Sequence, residues 1–192
     1  MSEVEVTEHT EQNAEPRIKQ IGTLHTPYKR LKEVPYQSSL SRSEVGSEVV
    51  CEIEVFEEYA GGLKDIEGFS HLFVLYWLHK SKGYSLLVRT PWDSELHGLF
   101  TTRSPNRPNP IGISVVRLLG RGREGKRGRE GKQGREGKQG ENVLRVSGID
   151  AVDGTPLVDL KPFVPAFDEK GEQEVRVGWL ERIGWLESRI KK

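Results

Sequence analysis

Hydrophobic and polar residues follow patterns along this chain that predict mostly β-strands. The segment VVCEIEVF (49–56) alternates apolar and polar residues, as a strand with one buried face does. The segment HLFVLYWLH (71–79) is continuously apolar and rich in aromatic and β-branched residues, which is typical of a central strand. Shorter segments also predict strands: RIKQIGTLHTPY, YSLLVRTPW, HGLFTTR, ISVVRLLG and NVLRVSGIDAVDG. These patterns predict an all-β fold, built as a small β-barrel core or a compact sheet.

Helical patterns are few and short. EEYAGGLKDIEGF (57–69) predicts a turn or a short helical segment. Near the C-terminus, apolar residues recur at close to helical spacing at Val177, Leu180, Ile183 and Leu186. We therefore predict a C-terminal helical tail over residues 169–192, interrupted by its glycines, with Trp179 and Trp185 packing on the core.

Two segments contain too few apolar residues to form part of a packed core. Residues 1–16 are acidic and polar without any period, which predicts a disordered tail before a single domain over residues 17–168. Residues 122–139 repeat a glycine-rich charged unit, GREGKR GREGKQ GREGKQ, which predicts a flexible insertion over residues 120–140 between two neighbouring strands. Each unit is net positive, so the insertion could bind nucleic acid; the alternative is a tolerated expansion without a role.

The composition limits the classes of protein to which this chain could belong. The 192 residues carry 29 basic and 29 acidic side chains, so binding to nucleic acid would require a local basic patch. The single cysteine, Cys51, excludes an internal disulfide and a cysteine-rich zinc site. Because no apolar run is long enough to span a bilayer and no signal-peptide pattern is present, we expect a cytoplasmic protein without a membrane partner.

The segment FTTRSPNRPNPIG (100–112) combines stiffness with positive charge. Its three prolines restrict the backbone, and each also restricts the residue before it. A stiff loop carrying Arg103 and Arg107 is suited to an anion or a planar polar ligand. The alternative is a kinked connection whose arginines only face water.

A second polar turn lies in SGIDAVDGTPLVDLKPFVP (147–165). Asp150 and Asp153 flank a turn closed by Gly154, where they could cap their own backbone or hold a polar ligand and accept a proton. His79 and Lys80, at the end of the central strand, are a third candidate, although a terminal histidine is as often simply solvated. None of these residues has the spacing of metal ligands, so we predict no metal site.

Four blocks together resemble the TsaA-like, or TrmO, family: IGTLHTPYK, GLKDIEGFSHLFVLYWLHK, GLFTTRSPNRPNPIGISVVRL and VSGIDAVDGTPLVDLKPFVP. They occur in the family's order between about residues 21 and 165. The resemblance implies an S-adenosylmethionine-dependent tRNA methyltransferase that acts on N6 of the threonylcarbamoylated adenosine just 3′ of the anticodon. It also implies a small β-barrel, a homodimer and tRNA as the partner.

The resemblance implies specific residues. The cofactor-binding positions are Pro35, Tyr36, Gln37, His79, Lys80, Arg103, Val116, Asp150, Ala151, Val152 and Asp153. The positions expected to face RNA are Arg107, Asn109 and Lys161. Asp150 or Asp153 is the expected catalytic carboxylate. Lys80 departs from the family, which has glutamine there. Two alternatives remain: a cofactor-binding regulatory module without turnover, and a methyltransferase of this fold with another substrate.

Overall fold

The computed structural model describes residues 17–35, 49–122, 140–169 and 176–183. Within these ranges it contains eight strands: β1 (Gly22–His25), β2 (Val50–Val55), β3 (His71–Trp77), β4 (Leu87–Thr90), β5 (Asp93–Gly98), β6 (Ile111–Arg121), β7 (Val143–Ser147) and β8 (Thr155–Pro162). Its helices are short: four 3₁₀ helices (Leu31–Glu33, Glu57–Leu63, Ile66–Gly68 and Leu99–Thr101), α1 (Pro165–Asp168) and α2 (Trp179–Arg182). None of the described helices is long and apolar enough to cross a membrane.

Six of the strands pair in a closed ring. Their order is β1-β2-β7-β6-β3-β8, and β8 pairs with β1 to complete it, with every pairing antiparallel. Side chains that point into the ring form one hydrophobic core, which includes Leu24, Ile53, Leu72, Val74 and Leu144. Cys51 belongs to this core, and burial raises the pKa of its thiol to about 12. The expected mostly β fold with short helical segments is confirmed.

The surroundings of strand β3 explain why apolar residues follow one another along it instead of alternating with polar ones. Its residues alternate between buried and half-buried positions, so only every second side chain lies in the core. Three of the outward side chains are also apolar and lie opposite apolar residues of β6: Phe73 opposite Val115, Leu75 opposite Ile113, and Trp77 opposite Ile111. We call these six side chains the outer apolar face. On β6 they are exposed, with 53% of Ile113 accessible to solvent.

The segment between β4 and β6 differs from the sequence prediction. HGLFTTR (97–103) was expected to be a strand, but only His97 and Gly98 belong to β5, and a 3₁₀ helix follows at Leu99–Thr101. The polar residues of DSEL (93–96) form most of the strand instead. Because β4 and β5 pair only with each other, their hairpin leaves most of the Asp93–Leu96 side chains exposed, and no apolar alternation marks the strand.

The ring has two ends that receive different connections. At one end β1, β3 and β7 finish and β2, β6 and β8 begin; we call it the proline-loop end because residues 102–110 lie there. At the other end, the repeat end, β6 leads through the glycine-rich repeat to β7. The flanks of the repeat are joined, since Arg121 pairs with Leu144 and the Gly122 amide donates to the Val143 carbonyl at 2.8 Å. β6 and β7 are direct neighbours, as the sequence predicts.

Several predictions fall on residues outside the described ranges. They concern the acidic segment 1–16, residues 123–139 of the repeat, and the parts of the tail at 170–175 and 184–192. The candidate residues Tyr36 and Gln37 and the tail residue Trp185 also lie outside them.

Candidate functional site

The aspartate turn, residues 149–154, connects β7 to β8 at the proline-loop end. Ile149, Ala151 and Val152 are buried, whereas the two aspartates are only half-buried. The turn is anchored to the end of β1, because the Thr26 hydroxyl donates to the Ala151 carbonyl at 2.9 Å. Gly154 closes the turn with a positive φ of 77°, a conformation that favours glycine. The aspartates therefore project from a fixed backbone.

The Asp150 side chain faces the last residues of β3 and the first residues of β6. The Tyr76 hydroxyl donates to Asp150 Oδ1 at 2.8 Å, and the Ser114 hydroxyl donates to the same oxygen. The two hydroxyl oxygens lie 3.0 Å apart. We call these three residues the Asp150 cluster. Burial raises the pKa of Tyr76, and the charge of Asp150 raises it further, so the phenol stays protonated and donates a hydrogen bond to the carboxylate.

Gly112 makes room for the Asp150 cluster. It lies opposite Tyr76 in the pairing of β3 with β6, and a Cβ atom built on it would be 2.1 Å from the tyrosine ring. No side chain fits at that distance, so only glycine lets the ring lie flat against β6. The glycine that ends the proline-rich segment FTTRSPNRPNPIG therefore positions the tyrosine that holds Asp150.

Asp153 faces the other way, toward the end of β1. Its carboxylate accepts hydrogen bonds from Lys29 Nζ at 2.7 Å and from the Thr26 amide at 3.0 Å, and His25 Nδ1 lies 3.9 Å away. We call these four residues the Asp153 cluster. The hydrogen bond from Lys29 lowers the pKa of Asp153, and the Thr26 amide lowers it further. Asp153 is thus a stabilised anion and a weak base.

An open cavity of about 510 Å³ adjoins the Asp153 cluster. It is lined by His25, Thr26, Lys29, Val50, Glu52, Arg145 and Asp153. Of the predicted cofactor-binding residues that the structure describes, only Asp153 lines it. The cavity and the Asp150 cluster therefore lie on two sides of the same turn.

The two arginines of the proline loop have different surroundings. Arg107 Nη1 donates to the Thr102 carbonyl at 2.9 Å and to the Leu99 carbonyl at 3.3 Å, and its guanidinium lies over the Phe100 ring at 5.5 Å. Arg107 therefore holds its own loop. Arg103 is exposed, and among the described residues its guanidinium has no hydrogen-bond partner. Its positive charge opposes the rise in the pKa of Tyr76, which places it within electrostatic reach of the Asp150 cluster.

The end of β3 is bound to the proline loop. The Leu78 amide donates to the Pro110 carbonyl at 2.7 Å, and the Ser81 hydroxyl donates to the Pro105 carbonyl at 3.0 Å. His79 and Lys80 lie between these two anchors and are exposed. The structure thus brings His79, Lys80, the proline loop with Arg103 and Asn109, and the aspartate turn to one end of the ring, while Pro35 is half-buried.

Two other predicted residues differ from this group in their surroundings. The Val116 side chain is wholly buried in the core, and the polar group facing Asp150 belongs to Ser114, two residues earlier on the same face. Lys161 lies six residues beyond Thr155 along β8, which is about 20 Å at strand rise, and it pairs with Asp159 at 2.8 Å. The Lys161 side chain therefore lies away from the aspartate turn.

Sequence reasoning missed Tyr76, His25 and Thr26 as members of the site. Tyr76 lies in an apolar strand, where a tyrosine usually serves as a core residue, and no local pattern distinguishes it. HTPYK (25–29) did carry a signal, since it places a histidine, a hydroxyl and a lysine around a proline turn. Among the described residues, no group of three or more His, Cys, Asp or Glu side chains could hold a metal ion.

Comparison with known proteins gives matches that cover this region. Residues 23–169 match the family model described as the tRNA-methyltransferase O N-terminal domain. A Pyrococcus abyssi protein named as a probable S-adenosyl-L-methionine-binding protein is 44% identical over 162 residues, which are 84% of this chain and 74% of that protein. The tRNA (adenine(37)-N6)-methyltransferase of Escherichia coli is 37% identical over 108 residues, 53% of this chain and 44% of that enzyme.

Coverage of the relatives is uneven. An Archaeoglobus fulgidus protein named as a probable S-adenosyl-L-methionine-binding protein is 49% identical over 105 residues, 55% of this chain but only 27% of that protein. Among solved structures, TrmO from Pseudomonas aeruginosa is similar with a TM-score of 0.60 and 28% identity, covering 87% of this chain and 63% of that chain. Every residue of the Asp150 cluster and of the Asp153 cluster lies inside the family match.

Proposed function

The chain belongs to the tRNA-methyltransferase O (TrmO) family, and on that premise we propose that it is an S-adenosyl-L-methionine-dependent tRNA methyltransferase. We propose N6 of the threonylcarbamoylated adenine-37 beside the anticodon as its substrate; the name of the Escherichia coli relative supports adenine 37 and N6. Several relatives are named as S-adenosyl-L-methionine-binding proteins, which supports the cofactor. A tRNA substrate supports a cytoplasmic protein.

The residues at the proline-loop end fit this cofactor. S-adenosyl-L-methionine supplies an electrophilic methyl group on a sulfonium and carries an amino and a carboxylate group. Arg103 offers a guanidinium to the carboxylate, and the aspartate turn offers negative charge to the cationic groups. His79 and the backbone of Ala151 and Val152 complete the cofactor-binding surface.

Asp150 is the carboxylate that we assign to the reacting nitrogen. N6 of the substrate belongs to a urea-like group whose lone pair is delocalised, so a hydrogen bond or proton acceptor beside it favours attack. Asp150 is fixed by two hydroxyl groups, whereas Asp153 is neutralised by Lys29 and holds the turn in place. The observation that carries the proposal is this carboxylate, fixed by Tyr76 and Ser114, with Arg103 near enough for its charge to act on the same tyrosine.

The RNA side of the site is formed by exposed polar residues of the same end. Lys80 and Asn109 are exposed there and can contact phosphates or base edges. Arg107 and Lys161 are assigned other roles, because Arg107 bonds its own loop and Lys161 pairs with Asp159. The basic patch is therefore small, which suits a chain of zero net charge.

We further propose that the protein is a homodimer that pairs through the outer apolar face. Its six side chains form three apolar cross-strand pairs on neighbouring strands, and exposed apolar patches of this kind mark association surfaces. Ile113→Glu should convert the dimer to a monomer in light scattering, whereas Leu96→Glu, on the exposed hairpin, should not. A wild-type chain that is monomeric at micromolar concentration would contradict this assignment.

The direct test of function uses labelled cofactor and threonylcarbamoylated tRNA. After incubation, the tRNA is digested and the methylated nucleoside is identified by mass spectrometry; tRNA lacking the threonylcarbamoyl group is the control. We expect methyl transfer to the modified tRNA only. Tight binding of cofactor without any transfer would favour a binding module instead, and transfer to the unmodified control would indicate another substrate.

A further inference from the structure

The C-terminal segment 176–183 lies beyond the family match, which ends at residue 169, yet it contacts the site-bearing domain. The Trp179 indole stacks on His97 of β5 with ring centroids 3.9 Å apart and planes inclined by 17°. Arg182 Nη2 donates to Asp93 Oδ2 at 3.3 Å and to Glu95 Oε2 at 2.9 Å. One aromatic stack and one bridging guanidinium thus fasten the segment to the β4–β5 hairpin.

The same tryptophan also reaches the chain that leads to Arg103. Its Nε1 donates to the Thr101 carbonyl at 3.0 Å. Thr101 is the last residue of the 3₁₀ helix that starts the proline loop, two positions before Arg103. Arg107 bonds the Leu99 carbonyl of this helix and the carbonyl of Thr102, the residue after it. The backbone before Arg103 is therefore held by two side chains, Trp179 and Arg107.

His97 makes the contact specific. It is 7% exposed, and its Nε2 lies 3.2 Å from Asp93 Oδ2, the carboxylate oxygen that Arg182 also contacts. The His97 ring is thereby fixed as a flat platform for Trp179. The exposed Phe167, in α1 just before this segment, makes no such contact among the described residues.

We propose that Trp179 is a positioning residue for Arg103: the C-terminal segment clamps the hairpin and the start of the proline loop so that the Arg103 guanidinium faces the cofactor. The proposal rests on the proposed function, since it takes Arg103 as a cofactor-binding residue. It assigns a role in the site to a segment outside the family match, and it makes cofactor affinity depend on that segment.

The first test needs no cofactor. Hydrogen exchange of the proline loop is compared in the wild type, Trp179→Ala, Trp179→Phe and the matched control Phe167→Ala. We expect Trp179→Ala to raise the exchange rate of the Thr102 amide, which donates to the Leu99 carbonyl, about tenfold, and Phe167→Ala to leave it unchanged. Unchanged exchange in Trp179→Ala overturns the proposal, whether or not the protein is a methyltransferase.

The second test asks whether Trp179 acts through Arg103. The dissociation constant for S-adenosyl-L-methionine is measured by calorimetry in Trp179→Ala, Arg103→Ala and the double variant. Trp179→Ala should weaken cofactor binding about fivefold to tenfold, and the double variant should bind no more weakly than Arg103→Ala alone. Trp179→Phe, measured in the same way, should recover part of the lost affinity, because phenylalanine can still stack on His97. Additive losses, or wild-type affinity in Trp179→Ala, overturn the proposal. If the wild type binds no cofactor, the proposed function is contradicted instead. The exchange test then decides by itself whether Trp179 holds the proline loop.

Discussion

The two ends of the strand ring are built differently. At the proline-loop end, segments far apart in sequence are joined by short contacts: Thr26 to Ala151, Lys29 to Asp153, and Tyr76 to Asp150. At the repeat end, the flanks of a long glycine-rich connection are joined through the pairing of β6 with β7, and Asn142 also bonds the amide and the carbonyl of Val55. A site that orients two substrates needs fixed side chains, so this difference supports the proposed site at the first end and predicts tolerance at the second.

The largest effect is expected from Asp150→Asn. The amide keeps an oxygen for the Tyr76 and Ser114 hydroxyls, so the fold should persist, but the negative charge and the basic oxygen are lost. We expect kcat for methyl transfer to fall about 100-fold or more, the usual contribution of a positioned acid–base group. The measurement is single-turnover transfer to threonylcarbamoylated tRNA at saturating cofactor.

Asp159→Asn is the matched control for that variant. Asp159 lies on β8 and pairs with Lys161 on the surface, so its loss should leave kcat within twofold of the wild type. Equal losses in both variants, or full activity in Asp150→Asn, would remove Asp150 from the reaction and weaken the contrast between the two ends.

Gly112→Ala should have the next largest effect, on stability as well as on activity. The new methyl group would lie 2.1 Å from the Tyr76 ring, so the tyrosine or β6 must shift. Overpacking of this kind costs about 1–3 kcal/mol, which corresponds to a fall in Tm of about 3–10 °C for a chain of this size. Because the shift moves the hydroxyl that holds Asp150, kcat should fall together with Tm.

Gly98→Ala provides the comparison, since it is also a strand glycine but its Cβ would meet nothing closer than 4.0 Å. Its melting temperature should stay near that of the wild type. If Gly112→Ala melts like Gly98→Ala in calorimetry, the close approach of Tyr76 is not a constraint, and the role of this glycine needs another explanation.

The sequence predicted most of the ring because strand periodicity is a local signal. VVCEIEVF alternates and became β2, and the apolar run at 71–79 became β3. The prediction failed for β5, whose residues mostly face water in a two-stranded hairpin and so carry no alternation. Local patterns also cannot report that β8 closes the ring onto β1, since that pairing joins residues more than 130 positions apart.

The candidate site was predictable only in part. The proline loop and the aspartate turn stand out in the sequence because proline and glycine restrict the backbone in ways that composition reveals. Their partners do not stand out, since Tyr76 and Ser114 lie in ordinary strands and become important only through the pairing of β3 with β6. Hydrogen bonds to its own loop distinguish Arg107 from Arg103, a difference that no spacing rule could have revealed.

A smaller effect is expected from Asp153→Asn, and it should depend on pH. The pKa of Asp153 is lowered in the folded protein, so its contribution to stability is present above the unfolded value near 4 and is lost as pH falls through the lower folded value. Wild-type Tm should therefore drop more than that of Asp153→Asn between about pH 5 and pH 2. Parallel Tm curves for the two proteins would show that the Lys29 contact is not made in solution.

The smallest effect is expected from removing residues 123–139, which tests the tolerance of the repeat end. The deletion leaves Gly122 next to Gly140 and keeps the turn in which the Val143 amide donates to the Gly140 carbonyl. A shorter connection costs less entropy to close, so the free energy of unfolding should stay equal or rise by up to about 1 kcal/mol. Because the repeat lies at the end of the ring away from the aspartate turn, kcat and the KM for tRNA should change less than twofold.

A variant of full length with the repeat's Lys and Arg replaced by Gln separates the effect of charge from that of length. A rise in the KM for tRNA in both variants would make the repeat an RNA-binding element. Loss of a cooperative melt in the deletion would show that the repeat supports the fold.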